Sequence, residues 1–209
     1  MIAVVDYGIG NLRSAHKALE HVGADARLVS DPDEVTASSA VVLPGVGAFG
    51  RCAEALRQTG HAGAVCEALA LGLPFLGICV GFQLLFEGSE EDPAASGLGV
   101  LPGVVRAIPP GQKRPQMQWN RLSRTSGRGQ RCAMLEGLGE SPWVYFVHSY
   151  APLPDAGLGD AVVATCEYGV TLAAAVESDG LWGTQFHPEK SSATGLAILR
   201  NFVRATSAP

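Results

Sequence analysis

The sequence predicts an α/β fold in three layers: a mostly parallel central sheet with helices on both faces, plus a smaller antiparallel or mixed sheet from the second half. Three observations carry this. Short unbroken apolar runs recur through the first half, as strands buried on both faces require. Stretches with apolar residues at helical spacing separate them. In the second half the strand-like runs follow one another with turn-length connections, the pattern of antiparallel pairing.

Ile2–Val5 is the first strand. Asn11 stands where a cap would begin a helix in which Leu12, Ala15, Leu19 and Val22 share one face, and Gly23 ends it. Ala26–Val29 is the second strand, and Ser30-Asp-Pro-Asp-Glu34 is a capped helix start. Residues 40–43 form a third strand, broken by Pro44-Gly-Val-Gly47. Residues 53–56 and 62–71 are helical with Gly72 as a C-terminal stop, and residues 75–78 are the strand that delivers Cys79. A helix-like run follows at 82–87. This alternation places ligands at the carboxyl ends of the strands, where Pro44-Gly-Val-Gly47 and Cys79 both fall. Residues 88–103 read as a polar loop, 104–108 and 117–122 as short strands, and 123–130 as an exposed hairpin tip. Strands at 143–147, 161–165, 171–176 and 181–186 follow. Residues 192–203 close as a helix with Leu196, Leu199 and Val203 inward.

At 209 residues the chain has the size of a single domain spanning 1–209 with a sizeable core, and 47% hydrophobic content with 26 glycines and 13 prolines describes a compact, turn-rich protein. The net charge of −5 leaves no basic footprint for nucleic acid. No apolar run approaches the ~20 residues of a membrane span, and the N-terminus lacks a basic lead and turns polar at Asp6, unlike a signal peptide. The five cysteines, Cys52, Cys66, Cys79, Cys132 and Cys166, are scattered without a Cys-x-x-Cys pair. That fits neither a zinc site nor a disulfide framework, so a reducing cytosol is expected.

The chemistry gathers around Gly77-Ile-Cys-Val-Gly81. This is the cysteine analogue of the Gly-x-Ser-x-Gly elbow, in which a tight strand-to-helix turn lifts the nucleophile above the sheet and leaves no room for Cβ atoms two residues away. Free N–H groups at the start of the next helix favour a thiolate there. A lone cysteine in an apolar run is most often core, so the company Cys79 keeps decides the matter. A thiolate needs a base, and the base an orienting group. His16, His21 and His61 lie in helix-like segments with no partner pattern, and His148 at a strand end stays open. Pro188 forces His187 into extended geometry, so His187 and Glu189 project to one side. An oxyanion hole would use the N–H of Val80 and a second N–H from Gly45, Val46 or Gly47, with Val46 the first choice.

These motifs, in the order Pro44-Gly-Val-Gly47, Gly77-Ile-Cys-Val-Gly-Phe-Gln83 and Phe186-His-Pro-Glu189, resemble the triad class of glutamine amidotransferases over most of the chain. Asp6-Tyr-Gly-Ile-Gly-Asn-Leu12, Met117-Gln-Trp-Asn120, Tyr145-Phe-Val-His-Ser-Tyr150 and His187-Pro-Glu-Lys-Ser191 are similar, within that class, to the glutaminase subunits of imidazole glycerol phosphate synthases. The resemblance implies a flavodoxin-like three-layer fold and a triad of Cys79, His187 and Glu189. It implies a glutamine site of Gly45, Gln83, Glu91, Ser149 and Tyr150, with no metal or organic cofactor. It further implies a (β/α)₈ cyclase as heterodimer partner, met by Asn11, Met117, Trp119, Tyr145 and Lys190, which uses the ammonia in histidine biosynthesis. The family commonly has His and Gly where this chain has Gln116 and Gln118, which leaves the contacts there open. The rivals are a subunit serving pyridoxal phosphate, anthranilate or purine synthesis, a catalytically silent scaffold on the same fold, and a free-standing cysteine hydrolase or peptidase.

Overall fold

The computed structural model describes residues 1–154 and 157–206. The first half alternates as expected: β1 (Ile2–Val5), α1 (Leu12–His21), β2 (Ala26–Val29), α2 (Pro32–Thr36), β3 (Ala40–Gly45), α3 (Phe49–Gln58), α4 (His61–Ala70), β4 (Phe75–Cys79) and the single turn α5 (Val80–Gln83). Then come β5 (Gly88–Ser89), β6 (Asp92–Ser96), β7 (Val104–Ala107), β8 (Gln116–Arg121), β9 (Ser123–Arg124), β10 (Trp143–His148), β11 (Tyr150–Ala151), β12 (Val162–Glu167), β13 (Thr171–Ser178), β14 (Leu181–Thr184) and α6 (Ser192–Thr206).

The large sheet has eight strands in the order β2-β1-β3-β4-β14-β13-β12-β9. The five from β2 to β14 are mutually parallel, and the remaining three add antiparallel. The second half therefore divides its strands. Some widen the large sheet, β11, β7, β5 and β6 form a four-stranded mixed sheet, and β8 with β10 makes a two-stranded ribbon. Ala3, Val4, Val5, Val41, Val42, Leu43 and Leu76 are fully buried, consistent with helices covering both faces of the inner strands. Among the described residues no helix is long and apolar enough to cross a membrane.

β3 does not break at Pro44; it runs on to Gly45, opposite Cys79. The proline is tolerated because β1 pairs with β3 only as far as Val42, so at Pro44 no ladder hydrogen bond needs its missing N–H. The Pro44 carbonyl instead accepts from the Tyr7 hydroxyl at 3.0 Å. Asp31 caps α2, accepting from the Asp33 N–H. Asn11 precedes α1 but offers its side chain to the Ser14 hydroxyl rather than to the helix backbone.

The helix-like run at 82–87 ends at Gln83, because Glu87 and Gly88 turn away to begin the small mixed sheet. The expected loop at 88–103 contains β5 and β6, whose pairing comes from each other and from β7. The expected hairpin tip at 123–130 carries β9, an edge strand of the large sheet on β12. In α6 the buried face is Ile198, Leu199 and Phe202, with Leu196 and Val203 at its margin.

Candidate active site

The carboxyl ends of β3, β4 and β14 lie side by side, with Gly45 opposite Cys79 and Thr184 opposite Ile78. Cys79 itself has φ +55 and ψ −111, a conformation L-residues rarely hold. Its strained turn presses against β3: a Cβ on Gly45 would stand 2.5 Å from the Gly81 nitrogen, and one on Gly81 would drive into the Leu43 carbonyl. α5 is only one turn long, so its contribution at Cys79 is a set of free N–H groups rather than a long helix dipole.

His187 follows β14 with φ −97 and ψ 102, and Pro188–Lys190 forms a 3₁₀ turn. That turn, rather than a continued extended strand, brings Glu189 back: its Oε1 lies 2.7 Å from His187 Nδ1, both side chains only 2% exposed. Glu189 Oε2 finds no partner among the described residues. Burial alone would lower the His187 pKa. The Cys79 sulfur and the Glu189 carboxylate outweigh it and hold the imidazole up at about 9, so it is charged at neutral pH.

The turn is tied to β10. His187 N–H donates to the Tyr145 carbonyl at 3.0 Å, the Ser191 hydroxyl donates to the His187 carbonyl at 2.6 Å, and Tyr145 N–H donates to that hydroxyl at 2.9 Å. Nothing in the sequence singles out Ser191 as a site residue. Its signal is a hydroxyl just after the Pro-Glu-Lys turn, too common to mark it.

A cavity of about 350 Å³ opens over Cys79. Val46, Gly47, Val80, Gln83, Glu91, Ser149, Tyr150 and His187 line it, and so does Lys190, expected at an interface. Gly45 is not among the lining residues; it packs beneath the elbow. The Gln83 amide nitrogen is already engaged, donating to the Tyr150 carbonyl at 2.8 Å and to Gln185 Oε1 at 2.9 Å. Glu91 reaches the same rim and accepts the Phe49 N–H at 2.8 Å. The Val46 carbonyl accepts from the Cys52 thiol at 3.3 Å.

His148, left open from the sequence, is buried against this cavity with Nδ1 3.0 Å from the Tyr150 carbonyl. Burial pushes its pKa down to about 4, aided by the nearby His187, so the ring is neutral. Since a carbonyl only accepts, Nδ1 carries the hydrogen. Gln185, likewise unmarked in the sequence, is fully buried with Nε2 3.8 Å from Cys79 Sγ.

On the ribbon, alternation sends Val144, Phe146 and His148 inward, while Met117, Trp119 and Trp143 stand exposed on the other face. Trp119 and Tyr145 are cross-strand partners in edge-to-face contact at 6.0 Å, and the Arg121 guanidinium sits 4.9 Å over Trp143. Gln116 faces the core opposite His148 and Gln118 faces solvent, so only the second of the two departures lies on the surface.

This fold is that of one class. The family model "Glutamine amidotransferase class-I" matches residues 3–206, and the chain belongs to that family. A crystal structure of a glutamine amidotransferase superposes with a TM-score of 0.74 over 99% of both chains at 22% identity, which supports the fold. Within the class, the chain is 48% identical over 206 residues to "Imidazole glycerol phosphate synthase subunit HisH" of Methanothermobacter thermautotrophicus, covering 97% of this chain and 98% of that one. The same-named subunit of Salinibacter ruber is 44% identical, covering 97% and 93%. The chain thus falls in the HisH family.

Proposed function

We propose that this chain hydrolyses glutamine to glutamate and ammonia and hands the ammonia to a (β/α)₈ cyclase. The partner would use it to make imidazole glycerol phosphate and aminoimidazole carboxamide ribotide in histidine biosynthesis. We take residues 1–209 as one amidotransferase domain working in a reducing cytosol, a setting that suits five free cysteines. The observation that carries the reading is the buried His187, held by Glu189 beside a strained Cys79 on the floor of a cavity, in a chain whose relatives are HisH subunits.

Glutamine would lie with its α-ammonium group toward Glu91 and its backbone end near Ser149 and Tyr150. With His187 charged, the Cys79 thiolate attacks the carboxamide carbon, and the oxyanion is met by the Val80 N–H and one from Val46 or Gly47, since Gly45, the other expected donor, lies beneath the elbow rather than in the cavity. His187 gives its proton to the departing nitrogen, leaving a γ-glutamyl thioester. The now neutral ring takes a proton from water, which adds to the thioester and releases glutamate, restoring thiolate and imidazolium. Glu189 keeps the ring oriented throughout. No metal or organic cofactor enters these steps. Ammonia stays useful only as the neutral base, so the ribbon face of Met117, Trp119 and Tyr145, with Asn11 and Lys190, is the surface we assign to the partner.

The test is glutamine hydrolysis by the chain with and without the cyclase and its nucleotide substrate, together with labelling by a glutamine-analogue alkylator. Low activity alone, strong stimulation by the loaded partner and stoichiometric labelling at Cys79 are expected. High activity independent of any partner, or no labelling in the complex, would overturn the reading.

A further inference from the structure

A line of buried amides runs from the nucleophile's sulfur to the loop bearing Ser149 and Tyr150, and its directions can be deduced. The Tyr150 carbonyl only accepts, so the Gln83 atom 2.8 Å away is its amide nitrogen. The Gln185 atom 2.9 Å from that nitrogen is then its oxygen. The remaining amide group of Gln185 is therefore NH₂, and it lies 3.8 Å from Cys79 Sγ. Both glutamine side chains are buried, and neither amide can turn over without breaking the line.

From this we infer that Gln185 is a positioning residue that supports Cys79 as a thiolate and ties the sulfur to the loop proposed to hold glutamine. The inference rests on Cys79 being the nucleophile. A buried N–H aimed at sulfur stabilises negative charge there, because the low-dielectric surroundings strengthen the interaction and water cannot replace it. The donor is fixed only while Gln83 holds the Gln185 oxygen, and Gln83 is fixed in turn by Tyr150. Movement of residue 150 on glutamine binding thus reaches the sulfur through two side chains. The other ionisable groups facing Cys79 are His187, with Tyr7 and Cys52 beneath it and Glu91, His148 and Lys190 across the cavity.

The test is the rate at which iodoacetamide alkylates Cys79 in the full chain between pH 6.5 and 9.5, resolved by site with mass spectrometry because Cys66 is exposed. Gln185→Leu should slow alkylation roughly tenfold at the acid end, the scale of a lost hydrogen bond to a charged group, and little at the alkaline end. Gln83→Leu, which leaves the donor present but unanchored, should fall between it and wild type. Gln185→Glu keeps the size and the acceptor for Gln83 but sets a carboxylate by the sulfur. It should slow alkylation further at neutral pH, and it carries the test if the leucine variant does not fold. Unchanged pH profiles in Gln185→Leu and Gln185→Glu would overturn the inference even if wild type is a fully active glutaminase. A wild type that hydrolyses no glutamine while its Cys79 keeps the expected profile would sink the functional reading and leave the amide line standing.

Discussion

At the scale of single residues, Cys79 holds a backbone geometry that glycine adopts freely and other residues resist. Cys79→Gly and Cys79→Ala should both abolish glutamine hydrolysis. The glycine variant should nonetheless melt about 2–4 °C above the alanine one, since about 1 kcal/mol of strain is relieved. Scanning calorimetry measures this directly, and equal melting temperatures would mean the turn is not strained. His187 gives a second residue-scale prediction. Its folded pKa of about 9 lies above the ordinary 6.5, so its contribution is fully present below about pH 6.5 and is lost as pH rises through about 9. Its size is on the order of 3 kcal/mol. In Glu189→Gln this alkaline loss should shrink, read as the difference in urea-unfolding free energy between pH 6 and pH 10. The rate of hydrolysis should fall on the order of 10⁴-fold, the scale seen when the orienting member of a triad is removed. The cysteine, the histidine and the glutamate were legible in the sequence because residues with special backbone geometry mark them: glycines two places either side of Cys79, and Pro188 between His187 and Glu189. Gln185 and Ser191 were not, since nothing beside them marks an amide or a hydroxyl as buried.

At the scale of elements, the elbow and the end of β3 form one close-packed unit. Gly81→Ala would push a methyl into the Leu43 carbonyl, and backbone cannot swing aside as a flexible side chain can. A loss of about 3 kcal/mol or more is expected, roughly 10 °C in melting temperature. The link between β10 and the His187 turn is gentler. Ser191→Ala removes a hydroxyl that both accepts from Tyr145 and donates to the His187 carbonyl, leaving a Tyr145 N–H without its acceptor. Turnover should drop about tenfold with the fold intact, as judged by circular dichroism and steady-state kinetics. Element boundaries were legible where glycine, proline or a capping aspartate marks them, as around α1 and α2. They were lost at 82–87, where Phe82 to Phe86 are buried without a break and carry no period to separate helix from turn. They were lost again at β6, where Asp92-Pro-Ala-Ala-Ser96 contains no strong strand former and the pairing is imposed by neighbours.

At the scale of the whole molecule, the parallel half and the site edge were legible, while the partition of the later strands was not. Whether an antiparallel strand joins the large sheet, the small one or the ribbon depends on contacts between segments far apart in the chain. The exposed face of the ribbon has its own expected outcome. Trp119→Ala should weaken binding to the cyclase tenfold or more, by calorimetry, because large aromatic rings at the centre of an interface dominate its energy. Hydrolysis stimulated by saturating cyclase should survive. The seating of β14 beside β4 has a further consequence, in time rather than in space. The nucleophile's turn can fold early in synthesis, but its base arrives more than a hundred residues later. At about 5–20 residues per second, that leaves Cys79 without His187 for roughly 5–20 s on the ribosome. An unfinished chain therefore holds a cysteine that cannot yet spend glutamine, and the last strand of the central sheet to be made is the one that switches the molecule on.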